Sequence, residues 1–443
     1  MKITFIKPNI GRREHSLYVD QGRMEPLMLG VLAALTPSGI EVALYDDRME
    51  RIPYDEPTDL VAITVESFTA RRSYEIAREY RNRNVKVILG GIHPTLLPEE
   101  AAMHADAIVT GDAETVWQMV LHDAGAGALQ KRYNALPGVG QSGKVLPCRD
   151  LFRNKGYLPV SLMQFSRGCR FACSYCAVSR YFGGQHYLRE IEDVILEINS
   201  QNRKIVFFVD DNIASDRVAL KMLCRELIPL KIKWFSQASL DITEDRELMR
   251  LMAESGCVGN VIGFESLNPA SLRESKKLHN LESCSDYHTA IQILRDYGMM
   301  TWAAFTLGYD DDTLGSIEAT VEFALKNHFS FAAFNILMPY PSTPFYDRLR
   351  QEERLLYDGA WWLHPEYRFN YAAFVPKKMT PDELTRACFD ARKQFNSLPS
   401  LLYRFLDVKT SLRTFWSVVT YWRYSVLFRK EVFKKHGIKF GLK

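Results

Sequence analysis

The chain has 443 residues, 47% of them hydrophobic and 25% charged, with a formal net charge of +3. Apolar mass on that scale supports two or three domains with real cores, and so small a net charge gives no argument for a nucleic-acid partner. No run approaches the roughly 20 apolar residues that a spanning helix needs, and the opening "MKITFIKPNI" is apolar too briefly for a signal peptide, so a cytoplasmic protein is expected.

In chain order, "KITFIK", "EVALYDD", "LVAITVES", "VKVILGG" and "DAIVTGD" are short β-branched runs, separated by helical stretches such as "EPLMLGVLAALTPSG", "ARRSYEIAREYRNR" and "AETVWQMVL". Buried parallel strands with helical crossovers predict an open, doubly wound α/β sheet over residues 1–123. Ligands of such sheets sit beyond the carboxyl ends of the strands. Those ends carry Asp47, Glu66, Ser67, Thr69, Gly91, Thr95, Gly111 and Glu114. No G-x-G-x-x-G follows the first strand, so a dinucleotide is not supported. Residues 124–150 lose periodicity and gain Gly and Pro, which predicts a linker.

From 151 to 345 the alternation resumes. "SLMQFS", "KIVFFVD", "IKWFSQA", "VGNVIGF", "MTWAAFTLG" and "FAAFNILM" are six strand candidates with helices between them. Eight units would close a full barrel, so six predict a partial, open (βα)6 barrel. Residues 346–443 are aromatic and basic and are read as a mostly helical extension, with a capping box at Thr380 and Glu383. From Leu401 onward, ten Lys and Arg stand against Asp407 and Glu431. Leu412, Phe415, Val419, Trp422 and Val426 recur there at helical spacing, interrupted by Arg423. Two readings stand side by side: a helix packed on the barrel, or a peripheral membrane contact.

The strongest local signal is "RGCRFACSYC", which places Cys169, Cys173 and Cys176 directly after the first barrel strand. Cys148, Cys224, Cys257, Cys284 and Cys388 are scattered and are expected to be free thiols rather than a disulfide framework. A structural zinc site would want a fourth ligand, for which His186 is the nearest candidate. A [4Fe–4S] cubane held by only three thiolates instead leaves one iron open to an amine and a carboxylate. The zinc reading makes the chain a binding module and the cluster reading makes it an enzyme.

"CRFACSYC" resembles the radical S-adenosylmethionine signature, C-x3-C-aromatic-x-C, and "GGIHPTLLPEEA" with "GDAET" resembles the cobalamin-binding domain that precedes the barrel in cobalamin-dependent members. The resemblance runs to about residue 385. It implies a [4Fe–4S] cluster on Cys169, Cys173 and Cys176. It implies S-adenosylmethionine near Tyr175, Asp211, Gln237, Ser239, Glu265, Leu307 and Gly308. It implies cobalamin near Asp47, Glu66, Ser67, Thr69, Gly91, His93, Thr95, Gly111 and Glu114. The D-x-H-x-x-G motif is missing, so His93 is expected to shape a loop or to make a phosphate or amide contact rather than bind cobalt, and the cobalt to be five-coordinate or water-ligated. The chemistry implied is one-electron cleavage of the sulfonium, hydrogen abstraction by the adenosyl radical, and delivery of a cobalt-borne methyl. The activity expected is C-methylation of an unactivated carbon in a small-molecule or lipid-like substrate, with a flavodoxin- or ferredoxin-type electron donor. A non-methylating rearrangement, cyclisation or oxidation is the alternative.

Overall fold

The computed structural model describes residues 1–12, 23–138, 145–201, 203–282 and 287–442; Cys284 and Lys443 lie outside them. Two six-stranded, wholly parallel sheets organise the chain. The first contains β1 (Lys2–Lys7), β2 (Glu41–Asp46), β3 (Leu60–Thr64), β4 (Lys86–Gly90), β5 (Ala107–Thr110) and β6 (Arg132–Asn134), in the order β2-β1-β3-β4-β5-β6. All five residues of β3 are buried, because helices cover both faces. The continuous Val/Ile/Leu run that marks this strand is the sequence consequence. β6 lies inside the stretch read as a linker. Its three residues, "RYN", are too short and too polar to announce a strand, yet Tyr133 is buried in the core and the strand pairs with β5.

The second sheet contains β7 (Ser161–Met163), β10 (Ile205–Phe208), β11 (Lys233–Ala238), β12 (Cys257–Glu265), β13 (Met300–Leu307) and β14 (Phe331–Ile336), in the order β14-β13-β12-β11-β10-β7. It is an open partial barrel. Alternate residues point outward into the helices: Val206, Phe208, Trp234, Ile262, Phe264, Ala303 and Phe305 form one core with helices such as Arg217–Leu227 and Arg246–Glu254. Between β7 and β10 stands an antiparallel ribbon of β8 (Ser166–Gly168) and β9 (His186–Leu188), which frames the cysteine loop.

The carboxy-terminal region is not a separate layer. Trp361, Trp362, Tyr367 and Phe440 pack into the core of the first domain, where Phe68 meets Trp361 at 5.1 Å and Phe440 at 6.0 Å between ring centroids. Helix Pro381–Phe395 lies on β14 through Cys388 and Phe395. Helix Phe415–Lys435 packs on the barrel through Tyr421, which is fully buried and gives its hydroxyl to the Leu401 carbonyl at 2.7 Å. The face it buries is Tyr421, Ser425 and Phe428, not the stripe picked out by spacing. Phe415, Trp416, Val419 and Val426 point outward, Phe415 with 77% of its surface exposed.

This packing makes Trp361 a tie between the two ends of the chain. It is fully buried and its indole N–H donates to the Pro339 carbonyl at 2.9 Å. Trp361→Ala is expected to cost about 3–5 kcal/mol, the range for a deleted core Trp, read as a lowered urea midpoint with an unchanged slope. A loss under about 1 kcal/mol would mean that this core does not hold the extension to the first domain.

Candidate active site

The cysteine loop is held from below by two aspartates. Asp210, fully buried, accepts the Ser166 hydroxyl at 2.5 Å and the Phe165 N–H at 3.2 Å, and burial raises its carboxyl to about 7. Asp211 accepts the Gly168 N–H at 2.8 Å. Gly168 itself has φ 82°, and a Cβ there would meet the Gln185 carbonyl at 2.2 Å, so the ribbon closes only with glycine. From the far side the Ser174 N–H donates to the Ser275 carbonyl at 2.9 Å and the Phe345 N–H to the Ser174 carbonyl at 3.0 Å.

Cys169, Cys173 and Cys176 are all free thiols. Burial pushes the Cys173 thiol up to about 12; Lys277 opposes the shift and the other two cysteines add to it. Burial raises Cys176 as well, against the N–H groups of Ser179 and Val178. Asn212 Nδ2 lies 3.7 Å from Cys169 Sγ. A thiol raised by burial, as Cys173 and Cys176 are, is turned to thiolate by a positive charge brought beside it, as metal ligation does. His186, the fourth ligand of the zinc reading, is in β9 opposite Gly168. Among the described residues no three or more His, Cys, Asp or Glu side chains are gathered for one ion. A cubane asks for one thiolate on each of three irons, and a set of three cysteines is the number that leaves its fourth iron open.

Above β12 a carboxylate and an ammonium stand beside these thiols. Glu265 has φ 62° at a register shift in the sheet. Its Oε1 pairs with Lys277 Nζ at 2.8 Å and its Oε2 accepts from Thr306 Oγ1 at 2.6 Å. Burial works against its charge, but Lys277, Thr306 and Tyr175 hold the carboxyl below its ordinary value. Gly263 makes the room: a Cβ there would come within 2.3 Å of Glu265 Oε1 and 2.7 Å of Lys277 Nζ. An acid and a base so placed match a zwitterionic amino-acid end. Glu265, Thr306 and Leu307 share a rim cleft of about 210 Å³. The other expected contacts differ. Gln237 donates to the Asp210 carbonyl at 3.2 Å. Ser239 bridges Asn212 and Asp241. Gly308 is turned away, its N–H given to Asp312 at 2.8 Å and its α-carbon packed on Leu384.

The first sheet points its carboxyl ends at the same loop. Between them lies a cleft of about 320 Å³, walled by Glu66, Gly91, Gly111, Asp112 and Glu114 on one side and by Gln164, Arg167, Val178, Tyr181, Phe182 and Asp211 on the other. It continues as a slot between the sheet and helix Leu27–Ala34, past Met28, Leu32 and Trp117. Five of the residues expected here are spent inside the protein. Asp47, fully buried, pairs with Arg72 and Arg12, each at 2.9 Å. His93, also fully buried, lies 3.1 Å from Ser67 Oγ and 3.0 Å from Glu100, which in turn accepts from Trp362. Thr69 closes a capping box with Glu66. Thr95 bridges the Gly91 carbonyl and the Gly111 N–H, at 2.9 and 3.0 Å, and so shapes the cleft wall from behind.

Residues 163–324 match the family model of the radical SAM superfamily, and residues 20–121 match that of the B12 binding domain. The bacteriochlorophyllide d C-8(2)-methyltransferase of Chlorobaculum tepidum is 30% identical over 354 residues, 75% of this chain and 78% of that one. The chain belongs to the cobalamin-dependent radical S-adenosylmethionine enzymes. The bacteriochlorophyllide d C-12(1)-methyltransferase of the same organism is 29% identical over 386 residues, 84% of this chain and 83% of its own. The radical S-adenosylmethionine methyltransferase TsrM of Kitasatospora setae, solved with cobalamin and a [4Fe–4S] cluster bound, shares the fold with a TM-score of 0.61 at 18% identity, over 79% of this chain and 75% of that one. The cofactors of this radical enzyme are therefore a [4Fe–4S] cluster, S-adenosylmethionine and cobalamin.

Sequence reasoning missed Arg167, Asp112, Tyr181 and Lys277. Arg167 and Asp112 stood inside the quoted motifs "RGC" and "GDAET", but their pairing across the domains has no signal along one chain. Lys277 follows β12 by a short helix and carries no motif of its own. For the cysteines, Cys173→Ala is expected to lose cluster iron, cluster sulfide and cleavage of S-adenosylmethionine together. Normal iron content with normal cleavage in that variant would overturn the three-thiolate site.

Proposed function

We propose that this enzyme transfers a methyl group to an unactivated carbon of a hydrophobic small molecule. The observation that carries the reading is the shared cleft: the strand ends of the cobalamin-type sheet and the residues that flank the cysteine loop, Arg167 before it and Val178 and Tyr181 after it, wall the same space. Both bacteriochlorophyllide d relatives are methyltransferases by name, which supports methylation over a rearrangement. When bound, the cluster with S-adenosylmethionine supplies one-electron cleavage and cobalamin supplies a methyl carrier, so the hard chemistry is the cofactors' own.

The chain's part is to position and to exclude water. In this reading Cys169, Cys173 and Cys176 hold the cluster. Glu265 takes the amino group and Lys277 the carboxylate of S-adenosylmethionine, with Tyr175 and Thr306 fixing Glu265. Asp211 and Gln237 act through the loop they brace, while Glu66, Gly91, Gly111 and Glu114 line the cobalamin cleft. A flavodoxin- or ferredoxin-type protein is the electron donor the reading requires. The test is anaerobic turnover of reconstituted protein with hydroxocobalamin, reductant and candidate substrates. Methylated product with equal S-adenosylhomocysteine and 5′-deoxyadenosine is expected. 5′-Deoxyadenosine with an altered, unmethylated product would establish the non-methylating alternative instead.

No helix of the described residues is long and apolar enough to cross a membrane. A peripheral contact is supported by the outward stripe of helix Phe415–Lys435: Phe415, Val419 and Val426 share one side, and the exposed Arg423 and Lys430 run beside them. Apolar groups would insert while each nearby cation gains about 1 kcal/mol at an anionic surface. Co-sedimentation with phosphatidylcholine vesicles is expected to be weak, to rise when phosphatidylglycerol is included, and to fall in a Phe415→Ser, Val426→Ser double variant. Equal sedimentation of the two proteins would remove the contact.

A further inference from the structure

The lumen of the barrel is hollow where a full barrel would be packed. In closed (βα)8 barrels, layers of bulky branched side chains fill the interior. Here the inward-facing Phe207, Phe235, Gln237, Val261, Trp302 and Ala304 all keep partial exposure, while their outward-facing neighbours in the strands are buried. The register arranges these residues in rows. Phe207 pairs with Phe235, and Phe235 with Gly259. The next row runs Gln237, Val261, Trp302, Phe331. Above it the row is Gly263, Ala304, Ala333, three of the smallest side chains available. Directly over Gly263 stand Glu265 and Lys277.

The lower rows and the inner face of helix Phe415–Lys435 enclose a cavity of about 240 Å³, whose walls include Phe207, Phe235, Val261, Trp302, Phe331 and Phe428. Trp302 and Phe428 close it, 4.2 Å apart between ring centroids. Ser236 and Asn260 in the wall are bonded to each other at 2.6 Å and ask nothing of a guest. Glu431 and Lys435, paired at 2.9 Å, are the charged groups of its lining. For scale, an engineered apolar cavity of about 150 Å³ stays dry and takes up benzene.

We propose that this cavity is the subsite for the hydrocarbon arm of the substrate, which passes the row of Gly263, Ala304 and Ala333 and ends on the aromatic floor beneath helix Phe415–Lys435. The inference rests on the methyltransfer reading and adds to it the substrate's shape: a reactive carbon at the Glu265 end and an apolar arm reaching down the lumen. The walls are mostly aromatic and aliphatic and their polar groups are paired with one another, Ser236 with Asn260 and Glu431 with Lys435, so the site favours an apolar arm over a polar one.

The probe is a bromine-terminated decanol, titrated into the full-length protein; bromine near Trp302 quenches its fluorescence. Saturable quenching is expected in the natural sequence and little of it in Trp302→Phe. Val261→Phe and Ala304→Leu, which fill the floor and the small row, are each expected to weaken probe binding about tenfold or more, as overpacking of a snug site does. Thermal melts report whether each variant is folded, and the second variant serves if the first is not. Absent or non-saturable quenching, or unchanged affinity in the folded variants, would overturn the subsite. The broader reading fails separately: loss of 5′-deoxyadenosine formation by the natural protein with probe binding intact would sink the radical chemistry and leave the cavity standing.

Discussion

Arg167 is the constraint on which the arrangement of the two domains turns. Its three guanidinium nitrogens reach three carbonyl or carboxylate oxygens: Nη1 to Asp112 at 2.7 Å, Nη2 to Glu114 at 2.5 Å and Nε to Gln164 at 2.9 Å. The group is only 14% exposed. A guanidinium taken so far from water is tolerable only with its partners in good geometry. Arg167 sits two residues before Cys169, and Asp112 and Glu114 sit in the turn after β5. The distance between the cleft's two walls is thereby set by one side chain. Asp112 reinforces it by accepting the Tyr181 hydroxyl at 2.7 Å and the Gly138 N–H at 2.6 Å. On the opposite flank Arg149 joins Glu25 to Glu197, with Arg189 and Arg203 closing the network. Two parallel sheets could meet at many angles; these ion pairs leave one in which both carboxyl ends open on a common space.

What was legible in the sequence follows from what a single chain can carry. Strand runs are local, so eleven of the twelve parallel strands could be placed from short apolar and β-branched runs, whereas "RYN" at β6 could not. The cysteine spacing is local too, and its chemistry was readable because only three thiolates stand there. Which side of a strand end faces a ligand is not local. Asp47, Ser67, Thr69, His93 and Thr95 stand near their strand ends but are engaged by partners inside the protein, among them Arg72, Glu100 and Gly111, which approach from elsewhere in the fold. The terminal helix shows the same limit. Spacing picked out an apolar stripe, but Tyr421, Ser425 and Phe428 fit the barrel floor better, with Tyr421 stacked on Phe331 at 6.0 Å. A small Ser and a hydrogen-bonding Tyr pack close where a row of bulky residues would stand off.

The rows inside the barrel separate two kinds of chemistry along one axis. At the top, Glu265, Lys277 and the three thiols form a charged, hydrogen-bonded end. At the bottom, aromatic rings form an apolar one. Gly263, Ala304 and Ala333 lie between: Gly263 leaves space for the ion pair above it, and the proposed subsite requires the small side chains of Ala304 and Ala333 beside it. Larger side chains in that row would fill the barrel, as branched residues do in closed ones, and would stabilise the fold by burying more apolar area. The sequence forgoes that stabilisation at the row nearest its reactive end. The aromatic extension then restores packing where no ligand passes, as Trp361, Trp362 and Phe440 lock onto the first sheet and Tyr421 and Phe428 seal the floor. An open lumen and a large carboxy-terminal core are thus two consequences of one requirement, a reaction space kept empty inside a chain that must still bury enough surface to fold.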